Sequence, residues 1–231
     1  MLITYIIPVF NESKTVEKSI QDIIDLNFEK EIIIIDNNST DGSKEIINKF
    51  ENKKNILIYK KDKNLGFGHS IQKGFELSNG QYIFIQYADL EYDHFASIEM
   101  LKSAQRENID VIFASRLMNL SKKKIIIKLL AKPSYLATII CTFLINIFYN
   151  KKLSDIIGTK LYNRKKLINL VPKNDGQGFD FEFVSIICKK NLKIKEMKID
   201  YVPRINLSEK KIKFYHMFNA IYEIIKVKVF K

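Results

Sequence analysis

The stretch Gln86-Tyr87-Ala88-Asp89-Leu90-Glu91-Tyr92-Asp93 follows directly on the apolar run Tyr82-Ile83-Phe84-Ile85. A short, unbroken apolar run entered through the turn signal Asn79-Gly80 reads as a buried strand. Its following carboxylates then lie just past the strand's carboxyl end. In an open α/β sheet, ligands bind in the crevice outside that edge. Acids placed there suit a divalent cation held against a diphosphate through hard oxygen ligands.

Working outward, two earlier strands deliver polar groups to the same edge. Ile3–Val9 is an apolar run that leads into Pro8-Val9-Phe10-Asn11-Glu12, and Glu31–Ile35 leads into Asp36-Asn37-Asn38-Ser39-Thr40-Asp41-Gly42. Ser13 is placed to cap a helix whose Val16, Ile20, Ile23 and Ile24 share one face, and a short helix runs through Ile46, Ile47 and Phe50. Asn55–Tyr59 is a third strand, followed by Asn64-Leu65-Gly66-Phe67-Gly68-His69 and a helix reaching about Leu77. A helix around Phe95–Gln105 leads to the strand Asp110–Ala114, with Arg116 just beyond it. Strands alternating with helical segments predict an α/β fold, a mostly parallel central sheet flanked by helices and joined by right-handed crossovers. No repeat or linker divides the chain, so residues 1–231 are read as one domain. Singly, Pro8 and Asn11 could only make a turn and Asp36 only cap a helix. Together with Asp89 and Arg116, they mark one site at one sheet edge.

Bulk composition narrows the classes. The 231 residues are 46% hydrophobic, which supplies a real core and excludes a disordered chain. Cys141 and Cys188 sit in apolar contexts without metal-ligand spacing and read as small core hydrophobes in a reducing compartment. No signal peptide is expected, since the N-terminus enters Ile3–Phe10 without a basic lead. His69, His94 and His216 form no zinc pattern, and Gly66-Phe67-Gly68 with Gly74 does not make a dinucleotide fingerprint.

The net charge of +12 is unevenly spread. Residues 1–115 hold 13 basic and 18 acidic side chains, and residues 116–231 hold 25 and 8. A lysine-rich composition explains the total, but not its confinement to one half. The second half is therefore expected to face something anionic, with a membrane surface, a diphosphate or nucleic acid all open. Nucleic acid is the weakest of these, because no platform of interleaved basic and aromatic residues is present. Tyr135–Tyr149 is almost wholly apolar, with Ser134, Thr138, Thr142, Asn146 and Asn150 recurring every four positions as one narrow polar stripe. It is shorter than the ~20 residues needed to span a bilayer. Two readings remain: a helix buried in the core, or one lying in the membrane interface. Phe214–Phe230 is similar, with Phe214, Phe218, Ile221 and Ile225 on one face and Lys226, Lys228 and Lys231 at its end.

Several of these segments carry a family resemblance. Ile7-Pro8-Val9-Phe10-Asn11-Glu12, Ile35–Ser43 and Asn64–Gly68 resemble successive motifs of the family 2 glycosyltransferases, which have the GT-A fold. Ala88–Asp93 and Ala114-Ser115-Arg116 are similar to the polyprenyl-phosphate sugar transferases within it, the dolichol-phosphate mannosyltransferase type. The likeness continues through Ser154-Asp155, Lys160-Leu161-Tyr162, Gly178–Glu182, Glu196–Arg204 and Ser208–Ile212, nearly the whole chain. It implies that Pro8, Phe10 and Glu12 line the nucleoside and that Asp36 accepts hydrogen bonds from the base. It implies that Asp89, with Glu91 as a second ligand, holds Mg²⁺ or Mn²⁺. Arg116 and Arg204, with Ser208 and Lys210 nearby, would face phosphate or the leaving diphosphate. Residues 1–116 would form the nucleotide-binding half, and residues 117–231 the acceptor-facing and membrane-facing half.

Two departures qualify the likeness. Tyr87 replaces the first acid of the family's Asp-x-Asp metal motif, and the loop Asp155–Lys160 is one residue shorter than its counterpart. A base is also scarce. A neutral hydroxyl acceptor needs a carboxylate to take its proton, whereas a lipid phosphate is already anionic. Only Asp155, Asp180 and Glu182 are candidates. The expectation is thus an inverting transferase moving sugar from a nucleotide-diphosphate sugar to a polyprenyl phosphate. It would rest peripherally on the cytoplasmic face of the cell membrane through an anionic lipid surface. A hydroxyl acceptor, or a nucleotide-sugar-binding protein without turnover, is the alternative.

Overall fold

The computed structural model describes residues 2–118, 120–121, 133–190, 192–203 and 216–230. In chain order, β1 (Ile3–Val9), α1 (Val16–Ile24), β2 (Lys30–Asp36), α2 (Ser43–Asn48), β3 (Ile56–Lys60), α3 (Phe67–Leu77) and β4 (Tyr82–Ile85) alternate as expected. Then come α4 (Ala96–Glu107), β5 (Val111–Ser115), α5 (Pro133–Tyr149), β6 (Lys160–Asn163) and the single-turn α6 (Arg164–Leu167). α7 (Phe179–Lys189), β7 (Ile194–Lys198) and α8 (His216–Phe230) complete the described elements.

The strands form one sheet in the order β3-β2-β1-β4-β6-β5-β7. β6 runs antiparallel to both β4 and β5, while every other neighbouring pair is parallel. Successive strand residues point to opposite faces, so each strand feeds two cores. Tyr5, Ile7, Ile34 and Phe84 pack with Val16 and Ile20 of α1 and Met100 of α4 on one side. Ile6, Ile83 and Phe113 pack with Phe75 of α3 and Phe183 of α7 on the other. The expected single α/β domain with a mostly parallel sheet between helical layers is what is found.

Local differences have local causes. Ser13 does not cap α1: Thr15 takes the cap position with no side-chain cap bond, and the Ser13 N–H donates instead to Asp41 Oδ2 at 2.9 Å. Cross-loop bonding outcompetes a local cap there. Phe50 lies beyond α2 yet is buried at the core. Both cysteines are buried and unpaired by disulfide, and burial pushes each thiol up to about 12.

α5 has a face for each reading of its sequence: Cys141 and Ile145 are buried in the core, and an apolar face stays exposed. Its polar stripe is turned inward: Thr138 and Thr142 are buried, and the Asn146 amide exchanges hydrogen bonds with the Leu153 backbone at 2.8 and 2.9 Å. Its apolar face points outward instead, with Phe143 60% and Ile147 59% exposed. α8 packs beside it, tied by Tyr149 Oη to the Ile224 carbonyl (3.2 Å) and Lys228 Nζ to the Phe148 carbonyl (2.7 Å). In α8 the expected apolar face is not the buried one: Phe218 and Ile225 are exposed, and Ala220, Ile224 and Val227 are buried instead. Phe214 lies outside the described residues.

Candidate active site

β1, β2 and β4 bring their carboxyl ends together where the strand order changes direction, between β1 and β4. Such a switch point opens a crevice above the sheet. The register pairs Val9 with Asp36, and Gln86 N–H donates to the Ile6 carbonyl, so the segments after all three strands emerge side by side. Pro8 is a β1 residue paired with Ile35, and Phe10 and Glu12 follow it into the edge loop.

That loop is stitched to the one after β2. The Asn11 N–H donates to Ser39 Oγ (3.0 Å) and the Glu12 N–H to Ser43 Oγ (2.8 Å). Asn11 takes a left-handed φ of 52°, which lets its side chain turn back and accept from the Thr40 N–H at 2.8 Å. Asp41 anchors the junction. Although partial burial pushes its carboxyl up, hydrogen bonds from Ser43 and Ser13 hold it down at about 2.

Asp36 ends β2 with no exposed surface. Its Oδ1 accepts from the Ser39 N–H at 3.1 Å, while its Oδ2 is buried with no hydrogen-bond partner. A buried carboxylate oxygen without a donor is uncommon and calls for one from a ligand or water. Beside it lies Lys61, which the sequence reading did not single out. This lysine is only 5% exposed, and its Nζ donates to Asn37 Oδ1 (3.0 Å) and Ser70 Oγ (2.9 Å). Burial pulls its amine down to about 8, against the opposing pull of Asp175 and Asp36.

The sign of the Lys61 effect follows from linkage. Between about 8 and the ordinary 10.5 the unfolded chain holds a proton that the folded chain has released. Stability from this group therefore rises with pH across that window. Urea unfolding of the parent and of Lys61→Met from pH 8 to 10.5 should show that rise in the parent alone. Parallel curves would refute it.

Past β4, Asp89 Oδ1 accepts from the Glu91 N–H at 3.2 Å, and Glu91 Oε2 accepts from Tyr201 Oη at 2.7 Å. Tyr87 directs its hydroxyl to another acid, Asp180. Its ring stacks on Phe67 (centroids 6.0 Å, planes 13° apart), and its Oη lies 3.5 Å from Asp180 Oδ2. Burial, then the charge of Asp180, holds the phenol well above its ordinary range, so it stays protonated as a donor. Asp180 Oδ1 in turn lies 3.4 Å from Nζ of Lys160, which is 1% exposed and also donates to the Gly158 carbonyl at 3.0 Å. β6 places Lys160 here because it is antiparallel: its first residue lies at the edge where the other strands end.

Arg116 is held in an ion pair by Asp155. Its Nε and Nη2 bind Asp155 at 2.6 and 3.0 Å, and its guanidinium sits 5.2 Å from the Tyr201 ring centre and 5.7 Å from that of Tyr135. Burial opposes charge on Asp155, but the Arg116 charge and hydrogen bonds hold its carboxyl below the usual range. The Ser154 and Asp155 N–H groups donate to Glu196 Oε1 at 2.8 and 2.9 Å, which fixes the loop. Gly158 permits its close approach, since a Cβ there would lie 1.7 Å from the Ala114 carbonyl oxygen. Glu182 is also buried, which leaves Asp180 the most exposed of the three candidate bases. Arg204, Ser208 and Lys210 lie outside the described residues.

Among the described residues no group of three or more His, Cys, Asp or Glu gathers as a metal cage. Asp89 and Glu91 are hard oxygen donors two residues apart. That suits Mg²⁺, which is commonly held by one or two carboxylates with substrate phosphates and water.

The fold and sequence have known counterparts. A dolichyl-phosphate beta-glucosyltransferase of Dictyostelium discoideum is 26% identical over 221 residues, covering 86% of this chain and 66% of that protein. A cholesterol galactosyltransferase of Borreliella burgdorferi is 25% identical over 217 residues, covering 87% of this chain and 57% of that one. The chain thus spans between half and two thirds of the length of these relatives. Its fold matches glucosyl-3-phosphoglycerate synthase from Mycobacterium tuberculosis, solved with Mn²⁺, UDP and phosphoglyceric acid, with a TM-score of 0.67 at 17% identity over all of this chain and 79% of that one. The family described as Glycosyl transferase family 2 matches residues 4–171, well over half of the chain. With the sheet order and the strand-end site in place, this protein belongs to glycosyl transferase family 2.

Proposed function

We propose that this chain transfers a sugar from a nucleotide-diphosphate sugar to a polyprenyl phosphate, with inversion, at the cytoplasmic face of a membrane. The observation that carries the donor side is Asp36: a buried carboxylate oxygen lacking a donor, at the switch-point edge shared with Asp89. A base N–H would supply that donor, with Pro8, Phe10 and Glu12 beside the nucleoside. Asp89 and Glu91 would hold Mg²⁺ or Mn²⁺, which would offset the charge developing on the leaving diphosphate. Arg204, Ser208 and Lys210 are proposed on the phosphate side, and Arg116 to hold the acceptor-side loop in place through Asp155. In this division residues 1–116 bind the nucleotide, and residues 117–231 face acceptor and membrane.

The acceptor side rests on the fate of the acids. Asp155 is fully buried on Arg116 and Glu182 is buried in α7, so neither offers a carboxylate to an incoming hydroxyl. An anionic phosphate oxygen attacks without a base and suits the basic second half. The two relatives are named for lipid acceptors, one a dolichyl phosphate and one cholesterol. Asp180 decides between them. With a phosphate acceptor, Asp180→Asn should change kcat by less than about tenfold; a hydroxyl acceptor needing it as base should lose about 10²–10⁴-fold. The assay is movement of label from a panel of nucleotide sugars into organic-extractable lipid, with polyprenyl phosphate and sterol tested side by side. Transfer to neither lipid, with nucleotide still bound, would refute the proposal.

A further inference from the structure

We infer that α5 and α8 together form a prebuilt lipid-docking face that inserts apolar side chains into an anionic bilayer surface. The observation is an exposed apolar face on each of two adjacent helices, opposite an inner face that buries polar side chains among apolar ones. In α5, Leu136, Phe143 and Ile147 are 44%, 60% and 59% exposed, while the polar Thr138 and Thr142 are buried. In α8, Phe218, Tyr222, Ile225 and Val229 are 66%, 60%, 42% and 62% exposed, while Glu223 is buried. The spacing puts each set on one side of its helix. A helix side on water is normally polar, so these exposed apolar sides suit an apolar neighbour.

Charge and length select the neighbour. Lys122, Lys123, Lys124, Lys128 and Lys132 precede α5 in the chain, and Lys210, Lys211 and Lys213 precede α8. Apolar helices bordered in sequence by lysines, with Lys226 and Lys228 in α8 itself, suit a surface of anionic headgroups over acyl chains. No described helix is long and apolar enough to cross a membrane, so insertion would be shallow, with both helices lying along the interface. The face needs no folding on contact. Tyr149 and Lys228 already tie the two helices, and inward Thr138 lies 3.5 Å from Arg116 Nη2. Docking would thereby set the acceptor-side loop at a defined height above the lipid.

This docking rests on the membrane-resident acceptor proposed above, but its test involves no sugar transfer, so the two can fail separately. The chain has no tryptophan, so a single introduced one reports its own surroundings. Phe143→Trp and Phe218→Trp should shift to shorter emission wavelength on phosphatidylcholine–phosphatidylglycerol vesicles and keep part of that shift at high salt. Leu57→Trp, on the β3 edge strand and 44% exposed, should not shift. The double substitution Phe143→Ser with Phe218→Ser should weaken vesicle partitioning about tenfold or more, because binding scales with buried apolar area. Its thermal unfolding should match the parent, since both rings are already exposed. No shift at 143 or 218, or an equal shift at 57, would overturn the inference. So would a dimer in light scattering that the double substitution dissolves while vesicles go unbound, because the face would then join two copies of the chain.

Discussion

Asp155→Ala is expected to destabilise the fold by about 3–5 kcal/mol, the usual cost of stranding one member of a buried ion pair. For a chain of this length that lowers the unfolding midpoint by roughly 10 °C. The pair is enclosed: the side chains of Arg116 and Asp155 are 9% and 0% exposed, with Nε to Oδ2 at 2.6 Å. Without the carboxylate, the guanidinium keeps its place between Tyr135 and Tyr201 but loses its counter-charge. Because the Asp155 carboxyl is held below its unfolded value, its contribution is present above the ordinary carboxylate range. It is lost as pH falls through the depressed value. Arg116→Ala should show a similar midpoint loss in a thermal melt. If it abolished transfer while leaving the melt unchanged, Arg116 would belong with the diphosphate after all.

Asp89→Ala is expected to lower kcat by about 10²–10³-fold, the scale of removing one preorganised group that stabilises developing charge. Little stability should go with it, because Asp89 is partly exposed in the loop after β4 and its carboxylate contributes a local bond to the Glu91 N–H. Tyr87 sharpens the test. With Tyr87 turned toward Asp180, the edge after β4 presents one acid fewer than the family's usual pair, so more of the cation's binding would fall on Asp89 and Glu91. Steady-state rates across a Mn²⁺ and Mg²⁺ titration would check this. Near-parent turnover in Asp89→Ala at every metal concentration would remove Asp89 from the chemistry.

Pro8, Asp36 and Asp89 could be placed at one edge from sequence because each lies at or just past the end of a short apolar run. A run of that kind marks its own end within a few residues. The alternation of strands and helices then required those ends to point the same way. What sequence could not supply were partnerships across the chain. Asp155 sits 39 residues from Arg116, and nothing in either neighbourhood announces the pair. Asp180 lies 93 residues from Tyr87, and Lys160 meets Asp180 only because β6 enters the sheet antiparallel between β4 and β5.

The polar stripe of α5 shows the same division. Its four-residue spacing was readable, and so was its greasy opposite face. Which side turned inward was not, because periodicity gives a helix two faces without saying what lies under either. In the fold the polar side is the inner one, with Thr138 3.5 Å from Arg116 Nη2 and Asn146 bonded to the Leu153 backbone, and Phe143 and Ile147 are left at the surface. Sequence by itself determined the strands, their shared edge and the acids on it, because those are local signals of hydrophobicity and chain direction. Tertiary structure alone decided which charges neutralise one another and which apolar face stays uncovered, because both depend on packing between segments far apart in the chain.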